Sequence, residues 1–176
     1  MVALIDRPPH RLLSLGLAVL LASCASYGGR GLVVGQSELS EVTRIMGEPR
    51  QQWNDPDGSR LLAYPRGPMG THTYMLRIGQ DGKLTSLENV LSAAGFRRIT
   101  AGMSREQVLR TLGPPEPTWT VYFKARDELV WEWRYCDDLN QLARFDVLFD
   151  GSKDIVRSTL GRREECGPTG VCWCSH

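Results

Sequence analysis

Ser104-Arg105-Glu106-Gln107-Val108-Leu109-Arg110-Thr111-Leu112-Gly113-Pro114-Pro115 sets the frame for the rest of the chain. Ser104 with Gln107 three positions on is a capping-box pattern. The hydroxyl takes one orphan amide of the first turn and the Gln side chain returns to the N-cap amide. Val108, Leu109 and Leu112 form an apolar stripe at helical spacing. Gly113 provides a positive-φ stop, and the two prolines forbid continuation. The stretch predicts a short helix over 104–112 with a sharp end.

The same device occurs earlier. Val42, Met46, Gly47 and Pro49 map onto Val108, Leu112, Gly113 and Pro115 at a constant offset of 66 residues. Ile45 completes the stripe, and Ser37 is the expected N-cap, 67 residues before Ser104. A fixed period of this kind points to an internal repeat.

Strand patterns follow each helix. Leu129, Trp131, Trp133 and Tyr135 alternate with Val130, Glu132, Arg134 and Cys136, the period of a half-buried strand. Ala143, Phe145, Val147 and Phe149 give a second strand, and a turn at Gly151-Ser152 leads to a short third one around Ile155-Val156. In the first copy Leu62 and Tyr64 take the places of Trp131 and Trp133, and Tyr74, Leu76 and Ile78 those of Phe145, Val147 and Phe149. Asp81-Gly82 is a hairpin turn leading to Leu84 and Leu87. Between the copies a short helix is expected from about Asn89 to near Gly95. The fold class is therefore α+β: two tandem units, 32–88 and 89–160, each a short helix or helix pair followed by a three-stranded antiparallel β-meander.

Outside these units the chain reads as targeting sequence and tail. Arg7 and Arg11 precede an apolar run, Leu12 to Leu21, of signal-peptide length and too short to span a bilayer. Leu21-Ala22-Ser23-Cys24 resembles the lipobox of bacterial lipoproteins, in which the cysteine is acylated and becomes the new N-terminus. Residues 1–23 are then a signal peptide, Cys24 the lipidation site and 24–31 a Gly-rich tether. Several acyl chains, at about 0.8 kcal/mol per buried CH₂, anchor permanently. Ala25 and Ser26 after the cysteine, in place of Asp, resemble an outer-membrane destination. The 153 residues from Cys24 onward suffice for one domain or two small ones.

Charge excludes one class of partner. The whole chain has 21 basic and 20 acidic residues, with no basic patch, so nucleic acid is not an expected ligand. After Cys24 four cysteines remain: Cys136, Cys166, Cys172 and Cys174. An even count in an exported chain suggests disulfides, with three connectivities open. One bridge could tie the 161–176 tail to Cys136, which alternates away from the aromatic row.

The stretch Phe96-x-x-Ile99-x-x-Gly102-Met103-Ser104-x-x-Gln107-Val108-x-x-x-Leu112-Gly113-x-Pro115 resembles the core motif of the SmpA/OmlA (BamE-like) family of outer-membrane lipoproteins. Phe149-Asp150-Gly151 followed by Ile155 fits the same pattern. The likeness covers about 96–157 well and 32–87 weakly, where Gly35-Gln36-Ser37 stands for Gly102-Met103-Ser104. The doubling resembles the tandem architecture of the β-lactamase inhibitor proteins. These likenesses imply a lipid-anchored module facing the periplasm, with another envelope protein as partner and a role in outer-membrane protein assembly or envelope integrity. The tandem architecture implies, as the alternative, an inhibitor or binder of a periplasmic enzyme. Fold alone does not assign function.

Catalytic motifs are not expected. The histidines after Cys24 are His72 and His176, and no Ser or Cys nucleophile motif accompanies them; His72 reads as solvent-facing. Asp55-Pro56-Asp57-Gly58 lacks the alternating ligands and closing Glu of a calcium loop and reads as a turn. Arg162-Arg163-Glu164-Glu165 reads as a solvated segment. Three thiols and His176 could hold a soft metal or carry redox chemistry, but the spacing is not Cys-x-x-Cys and disulfides are favoured. The expectation is no cofactor and no metal. Trp131, Trp133 and Tyr135 are either core or a candidate binding face, since binding faces favour aromatics.

Overall fold

A computed structural model of the chain describes residues 28–66, 70–168 and 170–174; Cys24 and His176 lie outside them. Helix α1 (Leu39–Met46) precedes strands β1 (Gln51–Asn54), β2 (Arg60–Pro65), β3 (Thr73–Ile78) and β4 (Leu84–Asn89). Helices α2 (Ala93–Phe96) and α3 (Arg105–Leu112) precede β5 (Val121–Phe123), β6 (Glu128–Cys136), β7 (Leu142–Asp150) and β8 (Ile155–Arg163). The strands form two four-stranded antiparallel sheets, each a meander in chain order.

The class is α+β, and each sheet carries one strand more than the three expected. The extra strands are β1 and β5, both at sheet edges. β1 holds one large apolar residue, Trp53, and β5 is exposed throughout. Pairing with β2 and β6 makes them strands, so no burial pattern announces them. β8 is also longer than expected. From Arg157 to Arg163 its side chains are exposed, and the ladder to β7 sustains it into the segment assigned to the tail. The helix expected over 89–95 is displaced: β4 runs to Asn89, and α2 starts after Ser92, whose hydroxyl accepts from Gly95 N–H at 3.3 Å.

α3 forms as its sequence dictates. The Ser104–Gln107 capping box is complete, and Gly113 ends the helix at φ 72°. A Cβ there would lie 2.7 Å from Thr73 Cγ2. At the first helix the expected cap fails. The N-cap is Glu38, without a side-chain cap, while buried Ser37 accepts from Val33 N–H at 3.0 Å. Strand-like pairing holds this entry instead: Leu84 N–H donates to Ser37 O, and Glu38 bridges to Lys83. Ser104 bridges to Ile155 in the same manner. Glu38, not Ser37, therefore stands at Ser104's place, and the 66-residue offset holds from N-cap to C-cap.

The cross-strand register extends the correspondence. Leu62 faces Leu76 and Tyr64 faces Tyr74, while Trp131 faces Val147 and Trp133 faces Phe145. The register shifts before Ile78 in one sheet and before Phe149 in the other.

Two cores result. Val42 and Met46 of α1 share the first with Leu62, Tyr64, Leu76, Ile78 and Leu84, one face of the first sheet. Leu61, Ala63 and Met75, on its other face, share the second with Val108 and Leu112 of α3 and with Trp133, Phe145, Val147 and Phe149. The order of layers is α1, first sheet, α2 and α3, second sheet. β2 is buried on both faces, which explains the unbroken apolar run Leu61 to Tyr64.

Candidate functional site

The chain leaving α3 cannot stay helical at Pro114-Pro115, so it crosses to the second sheet. There Glu116 N–H donates to Glu132 O at 3.2 Å, and Pro117–Trp119 make one 3₁₀ turn. This crossing leaves a cleft of about 460 Å³. One wall comes from the ends of β2 and β3: Pro65, Arg66, His72 and Thr73. The other comes from Pro114 to Trp119 with Trp133 and Arg134 of β6, and Arg50 and Leu91 close the remainder.

His72 is a half-buried wall residue of this cleft, not the solvent-facing one its sequence suggested. Burial, with a smaller contribution from Arg66, pushes its pKa below the usual 6.5. Its Nδ1 lies 3.1 Å from Thr71 Oγ1, and its ring is parallel to that of Tyr74 at 5.8 Å. Trp133 is 3% exposed, and its indole N–H has no hydrogen-bond partner among the described residues.

The outer face of the second sheet carries a charge network. Glu132 faces Asp146 across β6 and β7, and both are buried. Arg144 pairs with Glu132 and, at 2.8 Å, with Glu164. Arg162 pairs with Glu132 and, at 3.1 Å, with Asp146. Arg134 grips Glu164 through two contacts of 2.8 Å. The Arg144 guanidinium lies 4.2 Å from the Trp119 ring centre, which joins the network to the cleft wall. Burial raises the Glu132 carboxyl above its usual range, and the Arg144 hydrogen bond offsets part of that rise. Glu164 is also pushed up by burial, but Arg134 and Arg144 hold it below the usual value. Arg162 and Glu164 thus belong to a built network, which corrects their reading as a solvated segment.

The aromatic row packs into the core, the first of the two readings its sequence left open. Trp131 and Tyr135 are partly buried against the cluster that contains Trp133. Phe96 caps the row, with ring centres 4.6 Å from Tyr135 and 4.1 Å from Phe145, and Trp131 packs on Phe149 at 4.7 Å. α2 and α3 pack on this side through Phe96, Val108 and Leu112.

The cysteines form two disulfides, Cys136–Cys174 and Cys166–Cys172. Cys136 does tie the tail to β6, on the face away from the aromatic row. The tail backbone reinforces the bridge: Leu142 N–H donates to Cys172 O at 2.7 Å, and Trp173 bridges to Gln141. Sulfurs engaged this way are neither thiolate ligands nor free redox thiols. Asp55 sits in the turn after β1 and accepts from Arg77 at 2.8 Å and from Arg110. Its carboxylate is engaged by cations of the protein, as a structural turn requires.

The cleft was not legible in the sequence. Its walls come from residues as far apart as Arg50 and Arg134, and its prolines carried only the message of a helix stop. No known protein family, no curated protein and no solved structure matches the chain.

Proposed function

We propose that the chain is a lipid-anchored, non-catalytic binding or scaffold module of the outer membrane, facing the periplasm and engaging another envelope protein. The observation that carries this reading is the pairing of all four cysteines beyond Cys24 into two disulfides. Such pairing suits an oxidising compartment. It leaves Cys24, at the end of a signal-peptide pattern, as the odd cysteine.

Two copies of one helix-plus-meander unit make up this module. The constant helix offset, the matching cross-strand pairs and the shared register shifts support the duplication. The likeness at 96–115 to the SmpA/OmlA family supports an envelope role. Stacking one unit's sheet on the other's helix gives a rigid frame, and rigid frames suit binding surfaces.

The test is crosslinking in cells that express the full chain, followed by mass spectrometry of what is recovered from outer membranes. The reading expects a defined envelope protein, lost in Cys24→Ala. Recovery of β-barrel assembly proteins assigns the scaffold role within that machinery. A chain found soluble in wild-type form, with no envelope protein attached, contradicts the reading.

A further inference from the structure

We infer that the chain self-associates through the free edge of β8, which pairs antiparallel with β8 of a second copy about a two-fold axis at Gly161. Within the sheet β8 has β7 as its one strand neighbour. Glu164 N–H donates to Leu142 O at 2.8 Å, so Glu164 turns its backbone groups toward β7. That direction alternates along an antiparallel strand. Thr159, Gly161 and Arg163 therefore turn their N–H and C=O groups outward, where no backbone partner meets them among the described residues. Every residue from Arg157 to Arg163 is exposed, so the described residues leave this edge uncovered.

An unpaired strand edge is a template for another strand. The start of this same edge is already used that way. Gly102 N–H donates to Val156 O and Val156 N–H donates to Met103 O, both at 2.8 Å, before the chain turns into α3. Beyond that contact the regular ladder with β7 runs from Ser158 to Glu164, and its midpoint is Gly161. Charge selects the register and the second copy as occupant. With the axis at Gly161, Thr159 faces Arg163, Leu160 faces Arg162 and Ser158 faces Glu164 of the second copy. No like charges then stand directly opposite, the arrangement that destabilises a cross-strand pair. An axis at Arg162 sets that residue against itself, and one at Leu160 sets Arg157 against Arg163. Leu160, 53% exposed in the single chain, gains the aliphatic stem of Arg162 as cover. Gly161 at the axis lets the two backbones approach closely. The contact is isologous and closes at two copies. This inference holds whether or not the chain is anchored.

The experiment is sedimentation equilibrium of the full chain in density-matched non-ionic detergent, wild type against Gly161→Pro. The Gly161 N–H points outward, so proline removes the central hydrogen bonds of the dimer and none of the β7 ladder. Wild type is expected to dimerise, and Gly161→Pro to raise the dimer Kd at least about tenfold. Leu160→Lys, at an exposed position, sets a lysine against Arg162 of the second copy and should weaken the dimer in the same direction. Thermal melting checks that each variant keeps the fold, and Leu160→Lys decides should the proline variant fail to fold. A wild-type chain that stays monomeric up to roughly 100 μM, the scale of a weak specific contact, overturns the proposal. So does a dimer undiminished in the folded variants.

Discussion

Asp55, in the turn after β1, accepts from Arg110 of α3, so a carboxylate at the end of a first-sheet strand holds the helix that packs between the sheets. Arg77 of β3 shares the same carboxylate at 2.8 Å, and the Arg110 guanidinium lies 5.7 Å from the Trp53 ring centre. Hydrogen bonds from Arg77 first, and then from Arg110, hold the Asp55 pKa below 3.8. A depressed carboxylate contributes stability above its unfolded pKa and loses it as pH falls through the folded value. Asp55→Asn should therefore lower the melting midpoint at pH 7. The gap to wild type should close as pH drops below 3.8. Melting curves across that range, followed by circular dichroism, check it.

Leu112 is fully buried in the cluster that joins both sheets, and a Cβ at the neighbouring Gly113 would lie 3.6 Å from Ala63 Cβ. Leu112→Ala should cost about 2–5 kcal/mol through lost transfer energy and the cavity left behind. Because α3 packs on both sheets, urea unfolding should remain one transition in near- and far-ultraviolet circular dichroism. Two separated transitions would mean that the sheets unfold independently.

The two disulfides close loops of different length, with sequence separations of 38 and 6 residues. Loop-closure entropy assigns about 4 kcal/mol to Cys136–Cys174 and about 2 kcal/mol to Cys166–Cys172. Cys136→Ser with Cys174→Ser should thus destabilise more than Cys166→Ser with Cys172→Ser. Urea midpoints of the two double variants measure the order.

What the sequence made legible was local. The helix at 105–112 announced both of its ends, and the alternation around Trp131 and Phe145 located β6 and β7. Ser37 misled because a strand-like bridge to Lys83, distant in sequence, replaced the cap it seemed to offer. β1, β5 and the outer half of β8 were silent because backbone pairing creates them and solvent takes their side chains. The network of Glu132, Asp146, Arg144 and Arg162 was equally silent. Alternation said only that Glu132 and Arg134 face away from the core, and it cannot say that arginines of β7 and β8 close over that face.

Glu132 makes the second pH prediction, with the opposite sign. Burial raises its folded pKa above 4.5, so the native state binds a proton more readily than the unfolded chain. Stability from this group falls as pH rises from 4.5 through the folded value. Glu132→Gln should remove that dependence. At pH 7, where the buried carboxylate is charged in its less favourable form, the variant should be no less stable than wild type. Urea midpoints of wild type and variant between pH 4.5 and pH 7 test both statements.

The central claim is anchoring, and intact-mass spectrometry of the protein extracted from bacterial membranes tests it most directly. The account predicts a chain beginning at Cys24, heavier than residues 24–176 by a diacylglyceryl group and an amide-linked acyl chain, and four mass units lighter for the two disulfides. A chain that retains residues 1–23, or one cleaved there without lipid on Cys24, contradicts it.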